Sequence, residues 1–245
     1  MLLLAGLTVA ACSAPGAPAA SPSSTGPVLA VMPSANDFTS AVEATRSLGT
    51  ADVNIDVQVS ASTGSRALRA TGAAVLSRGR ADLAWTSATG TFRELVNDQA
   101  IFTQQRPPDG PWIRTAYPGT TPTSGYADTL RGLSGLRDVT LEGTQDLRGV
   151  TTSRHVGWLP ATQTELTALG LTPIEATEVL RAQPDARVSV TVWLDSRAHV
   201  VQVARDLQSV GADDPGVRAT TSLTDFSVLL NLNSPRDNVQ DAGST

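Results

Sequence analysis

Lysine is absent from this chain, cysteine occurs once, histidine twice, and only 4% of the residues are aromatic. Every one of the 18 basic side chains is therefore an arginine, and against 23 acidic residues they leave a formal charge of −5. No basic cluster interrupts that balance, which argues against nucleic acid as a partner. A lone thiol excludes a disulfide framework and any zinc site built on several thiolates. His155 and His199 both fall in stretches with strand periodicity, and neither stands at metal-ligand spacing from another ligand. Glycine-rich phosphate loops are missing too, and no nucleophile is marked by a neighbouring base. The chain is accordingly read as a non-enzyme with no metal and no cofactor. Asp213-Asp214 before Pro215-Gly216 has the composition of a solvated turn rather than of a cation site.

Apolar runs of the roughly 20 residues needed to span a bilayer are also missing. Leu2 to Ala11 is a run of ten apolar or small residues, the length of the apolar part of a secretion signal. Val9-Ala10-Ala11-Cys12 follows the pattern of a bacterial lipobox, an aliphatic residue and two small ones before a cysteine that is acylated and becomes the new N-terminus. An ordinary buried cysteine is the alternative. No Arg precedes the apolar run, so basic codons are expected upstream in frame. Acylation has a simple energetic logic: each buried CH₂ contributes about 0.8 kcal/mol, and two or more chains hold a protein on a membrane where one does not. The expectation is residues 1–11 as a lipoprotein signal peptide and an exported, membrane-anchored chain on the extracytoplasmic face.

Residues 12–34 are dominated by Ala, Pro, Ser, Gly and Thr and carry no charge, so they cannot offset the entropy of ordering and read as a disordered tether. Extended, about 20 such residues reach roughly 60 Å. A domain is expected over residues 35–238, with 239–245 a frayed tail. At 40% hydrophobic residues it can build a substantial core.

The strongest local signal lies at 187–207. Val188, Val190, Val192 and Leu194 alternate with Arg187, Ser189, Thr191 and Trp193, the period of a two-faced strand. Asp195 to Ala198 supply turn chemistry, and Val201 and Val203 resume an apolar face, which makes an antiparallel hairpin. Val53, Ile55, Val57 and Val59 alternate in the same way. Leu68, Ala70, Gly72, Ala74 and Leu76 share a parity, their small members leaving room behind a sheet. Leu83 and Trp85 mark a third strand, and further strands are expected at 92–96, 100–103, 112–115, 139–158, 217–223 and 226–232. A helix is expected after Asn36 or Asp37 as cap, with Phe38, Ala41, Val42, Thr45 and Leu48 on one face and Gly49 at its end. Another short helix is expected at 126–133 after the loop-forming 117–125. Thr162-Gln163-Thr164-Glu165 and Thr172-Pro173-Ile174-Glu175 fit the capping box. Strands at intervals of about ten residues with grouped helices argue for an α+β fold on one antiparallel sheet. Trp85, Trp112, Trp158 and Trp193 lie in or beside strands and read as core or rim packing.

Three segments together resemble the LppX/LprG-type lipoproteins of mycobacteria and their relatives. They are Leu141 to Thr152 followed by His155, Val190 to Asp195, and Leu223 to Phe226 ahead of Pro235. Asp146, His155 and Ser227 depart from the pattern, His155 where an aromatic residue is usual and Ser227 where glycine is common. The lysine-free composition, the mark of a GC-rich coding sequence, fits an actinobacterial source. The resemblance implies a curved antiparallel half β-barrel with helices on its concave face, similar to the LolA/LolB carriers, enclosing an apolar cavity for palmitate-like acyl chains. It also implies a carrier or chaperone for a lipid or lipoglycan in the cell envelope, with an envelope lipid transporter as a partner. Two sixteen-carbon chains leaving a membrane lose about 25 kcal/mol, which only an apolar lining returns. Val53, Ile55, Val57, Leu83, Val188, Val190 and Val192 are the candidate lining, against simple core packing as the alternative. The rival reading of the whole chain is an anchored scaffold or sensor that binds another envelope protein and has no cavity.

Overall fold

The computed structural model describes residues 38–61, 64–105, 107–116, 128–207 and 216–242. Cys12, the tether, the cap candidates Asn36 and Asp37, the loop 117–125 and Asp213-Asp214 lie outside the described residues.

Helix α1 (Thr39–Ser47) leads into strands β1 (Thr50–Ala61), β2 (Gly64–Val75), β3 (Arg80–Ser87), β4 (Gly90–Val96), β5 (Ala100–Gln105) and β6 (Trp112–Ala116). After a single 3-10 turn at Leu133–Gly135 come β7 (Arg137–Leu147), β8 (Val150–Pro160), α2 (Gln163–Ala168), α3 (Pro173–Ala182), β9 (Arg187–Leu194), β10 (Val200–Leu207), β11 (Gly216–Thr224) and β12 (Val239–Asp241). All twelve strands form one sheet in the order β12-β6-β5-β4-β3-β2-β1-β11-β10-β9-β8-β7. The architecture is the expected curved α+β half-barrel, and every pairing is antiparallel except that of β12 with β6.

Period-two alternation put the right faces together. Val53 lies opposite Leu223 and Gly72, Ile55 opposite Thr221 and Ala70, and Val192 opposite Val203 and His155. Onto this concave face the helical segments deliver Phe38, Ala41 and Val42, then Leu130 and Leu133, then Leu166, Ala176 and Val179, making one continuous core. Helix α1 is held by a polar contact as well. The register shifts between Val200 and Gln202, so Val201 leaves the apolar row and Val200 takes its place, and the Val200 N–H donates to Thr45 Oγ1 at 2.8 Å. The bulge therefore corrects the expectation that Val201 carries the return strand's core face.

Four other expectations change. Residues 226–232 form no strand. Instead the chain from Ser227 to Asn238 runs as a strap, tied by Ser227 N–H to the Thr50 carbonyl at 2.7 Å and by Asn97 Nδ2 to the Leu232 carbonyl at 3.2 Å. Leu232 packs on Leu95 and Phe102, on the face away from the helices. The strap delivers Val239–Asp241, expected to fray, as a parallel edge strand. Within 126–133, the described residues from 128 onward make turns rather than an α-helix. Finally, the space at Gly72 is not a void: a Cβ there would lie 2.0 Å from the Asp82 carbonyl oxygen, so the glycine lets β3 approach.

Candidate functional site

All seven candidate lining residues come together on the concave face. Val53, Ile55 and Val57 lie on β1, Leu83 on β3, and Val188, Val190 and Val192 on β9, with exposures of 0–3% inside a single cluster. Side chains from α1, α2, α3 and the 3-10 turn already cover that cluster.

At the end of the sheet where β2 and β4 begin and β3 and β5 finish lies a half-open cavity of about 770 Å³. Its lining includes Arg66, Leu68, Ser87, Thr89, Phe92 and Gln105. Strand parity explains the apolar part. Leu68 shares a face with Ala70 and lies opposite Val57, while Phe92 lies opposite Trp85 and stacks on it at 5.6 Å with an interplanar angle of 6°. Leu68 and Phe92 are half-buried and pack against the main core, so the cavity borders the rows that hold the seven candidates.

The rim is fastened to the helical cover. Arg66 grips Glu175 of α3 with both nitrogens, at 2.9 and 2.7 Å, and donates to the Gly170 carbonyl at 2.8 Å. Glu175 is also the N3 residue of a complete capping box with Thr172. The Arg66 guanidinium, with the Thr172 backbone and hydroxyl, holds the Glu175 carboxyl well below the usual range, down to about 2. The Thr162–Glu165 cap forms with the hydroxyl accepting from the Glu165 N–H. Sequence patterning found both caps and missed Arg66 as a partner, since a β2–α3 contact between residues 109 positions apart has no local signature.

Deeper under the cover, Arg205 of β10 is buried and donates to the Thr129 and Arg131 carbonyls at 3.0 and 2.7 Å, pinning the turn that precedes β7. Burial lowers its pKa to about 10, and burial likewise raises the Asp128 carboxyl. Near α1, His155 Nε2 lies 3.1 Å from Ser153 Oγ, a nucleophile and base spacing that sequence reading did not supply. Both are buried, the Phe38 ring meets the imidazole edge-on at 5.4 Å, and burial lowers the His155 pKa. The pair holds a neutral ring in the core away from the cavity lining. Among the described residues no three His, Cys, Asp or Glu side chains converge as metal ligands, and no helix is long and apolar enough to cross a membrane.

No family model matches the chain, and no curated protein matches it. Solved structures do. The crystal structure of LprF from Mycobacterium bovis is similar over 81% of this chain and 94% of its own, with a TM-score of 0.50 and 16% identity. Lipoprotein LppX of Mycobacterium tuberculosis matches over 80% of this chain and 98% of its own, with a TM-score of 0.43 and 15% identity. An uncharacterized conserved protein from Thermus thermophilus matches over 83% and 98%, with a TM-score of 0.41 and 11% identity. The fold that the sequence motifs pointed to is thus the fold of this chain, shared with LprF.

Proposed function

We propose that the protein is a membrane-anchored envelope lipoprotein that binds acyl chains on the concave face of its sheet and carries a lipid or lipoglycan. The reading is non-enzymatic. Acylated Cys12 is the anchor, and an envelope lipid transporter is the partner that delivers or receives cargo. The observation that carries the proposal is the cavity of about 770 Å³ floored by Leu68 and Phe92, within the range of small-molecule sites and bordering a core of apolar strand faces. Hydrocarbon enters over these two residues. It reaches Val57 and Leu83, and then the β9 valines, as the helical cover yields.

A specific observation favours a second reading. The seven candidate residues are already packed against one another and their cover, the interior an anchored scaffold or sensor for another envelope protein would have. Native mass spectrometry of protein purified without detergent, with uptake of a fluorescent C16 acyl probe, separates the two. The carrier reading expects co-purifying lipid, saturable uptake, and roughly tenfold weaker uptake in Phe92→Asp or Leu68→Asp, since a charge in the apolar floor is strongly disfavoured. Ligand-free protein that takes up no probe would leave the scaffold.

A further inference from the structure

We propose that the outer face of β7–β9 is a docking surface for an anionic bilayer, seating the protein against the membrane through Arg137, Trp158 and Arg187. This surface faces away from the helices and does not depend on the cavity.

Strand register assembles it. Arg137 lies opposite Trp158, Trp158 opposite Ser189, and Arg187 opposite Pro160. The two guanidinium groups flank the Trp158 indole at 5.2 and 4.0 Å from the ring centroid. Further along the same face Arg154 lies 5.9 Å from the Trp193 ring and pairs with Glu142. Arg137 and Arg187 are exposed, and neither makes an ion pair with a described carboxylate. Elsewhere on the outer face the cations are matched: Arg69 pairs with Asp56, Arg93 with Asp82, and Arg218 with Asp206. The Trp158 indole N–H donates to Asp138 Oδ2 at 2.7 Å, so the two arginines share the half-buried ring with one carboxylate, and the patch keeps a net charge of about +1 in a chain of charge −5. Indole and guanidinium together form the composition that settles at a bilayer's polar boundary, the ring among the headgroups and the cations on their phosphates.

The test uses the full chain with Cys12→Ser, so that no acyl anchor contributes, and vesicles of phosphatidylcholine alone or mixed equally with phosphatidylglycerol. The apolar Leu2–Ala11 run is common to all variants, so the readout is the difference between them. Co-sedimentation is expected to favour the anionic vesicles, to weaken with added salt, and to fall roughly fivefold for each of Arg137→Gln and Arg187→Gln, with Arg→Lys at both positions retaining binding. Trp158→Phe is expected to remove most of the tryptophan quenching by brominated lipid. Equal binding to both vesicle types, or Gln variants that sediment like the parent, would overturn the proposal. So would binding to a soluble polyanion that equals binding to anionic vesicles, which would assign the patch to a polyelectrolyte instead.

Discussion

His155 shows how one side chain links packing to pH. Its ring is buried against Phe38 and Ser153, and burial lowers its pKa from the ordinary value near 6.5. The unfolded chain then binds more protons than the folded one as pH falls below 6.5, so His155 favours the fold above that value and the advantage is lost on acidification toward its folded pKa. His155→Gln should flatten the decline in stability as pH falls below 6.5, read by urea unfolding at several pH values; an unchanged slope would place the titrating group elsewhere. Ser153, two residues away on the same strand face, gives the imidazole its one described hydrogen bond. An aromatic residue, usual at this position in the resembled pattern, would meet Phe38 without that titration.

Among the elements, α3 is the one most dependent on a distant strand. Its first turn is closed by the Thr172–Glu175 capping box, and the same carboxylate is gripped by Arg66 of β2 at the cavity rim. Glu175→Gln keeps the shape but removes the charge from both contacts, and should cost about 2 kcal/mol by denaturant unfolding. Because the folded pKa lies near 2, below the usual 4.5, the stabilisation is complete above pH 4.5 and fades only as pH falls toward 2. The variant should therefore lose stability at neutral pH and converge with the parent in strong acid. The β9–β10 hairpin is shaped by one bulge in the same way: its shift brings Val200 inward, and Thr45 of α1 satisfies the N–H that faces the helix. Both contacts join helical cover to sheet.

At the scale of the whole fold, a twelve-stranded sheet is covered, among the described residues, by three short helices and a 3-10 turn, and its β2–β5 end is left with an open cavity. On the proposed carrier reading, cargo adds to the stability of the fold. An acyl ligand at about 100 times its dissociation constant should raise the unfolding free energy by about 2.7 kcal/mol and slow hydrogen exchange in α1–α3. At the same ligand concentration the tenfold weaker binding of Phe92→Asp should cut the gain to about 1.4 kcal/mol, read against that variant's own ligand-free stability, which the lost stack on Trp85 also lowers. A ligand that binds without changing exchange in the helices would mean that the cover stays closed and the seven core residues never meet hydrocarbon. The strap from Ser227 to Asn238 completes the sheet at the opposite end by bringing β12 to β6.

Alternation along single strands sufficed to place Val53, Ile55, Val57, Leu83 and the three β9 valines on one buried face, and Thr172 with Glu175 announced the start of α3 before any coordinates. These features depend on neighbours a few residues away, which is why they are legible in order along the chain. The fate of residues 226–242 was not, because a strand and an extended strap share the same local backbone and differ only in whether a distant edge, here β6, is free to pair. Gly72 is similar: an absent side chain reads equally as a void or as a close approach, and only the position of the Asp82 carbonyl decides. The cavity mouth at Leu68 and Phe92 and the Arg66–Glu175 clasp also belong to tertiary structure alone, since they join strands and a helix whose separation in sequence carries no periodic trace.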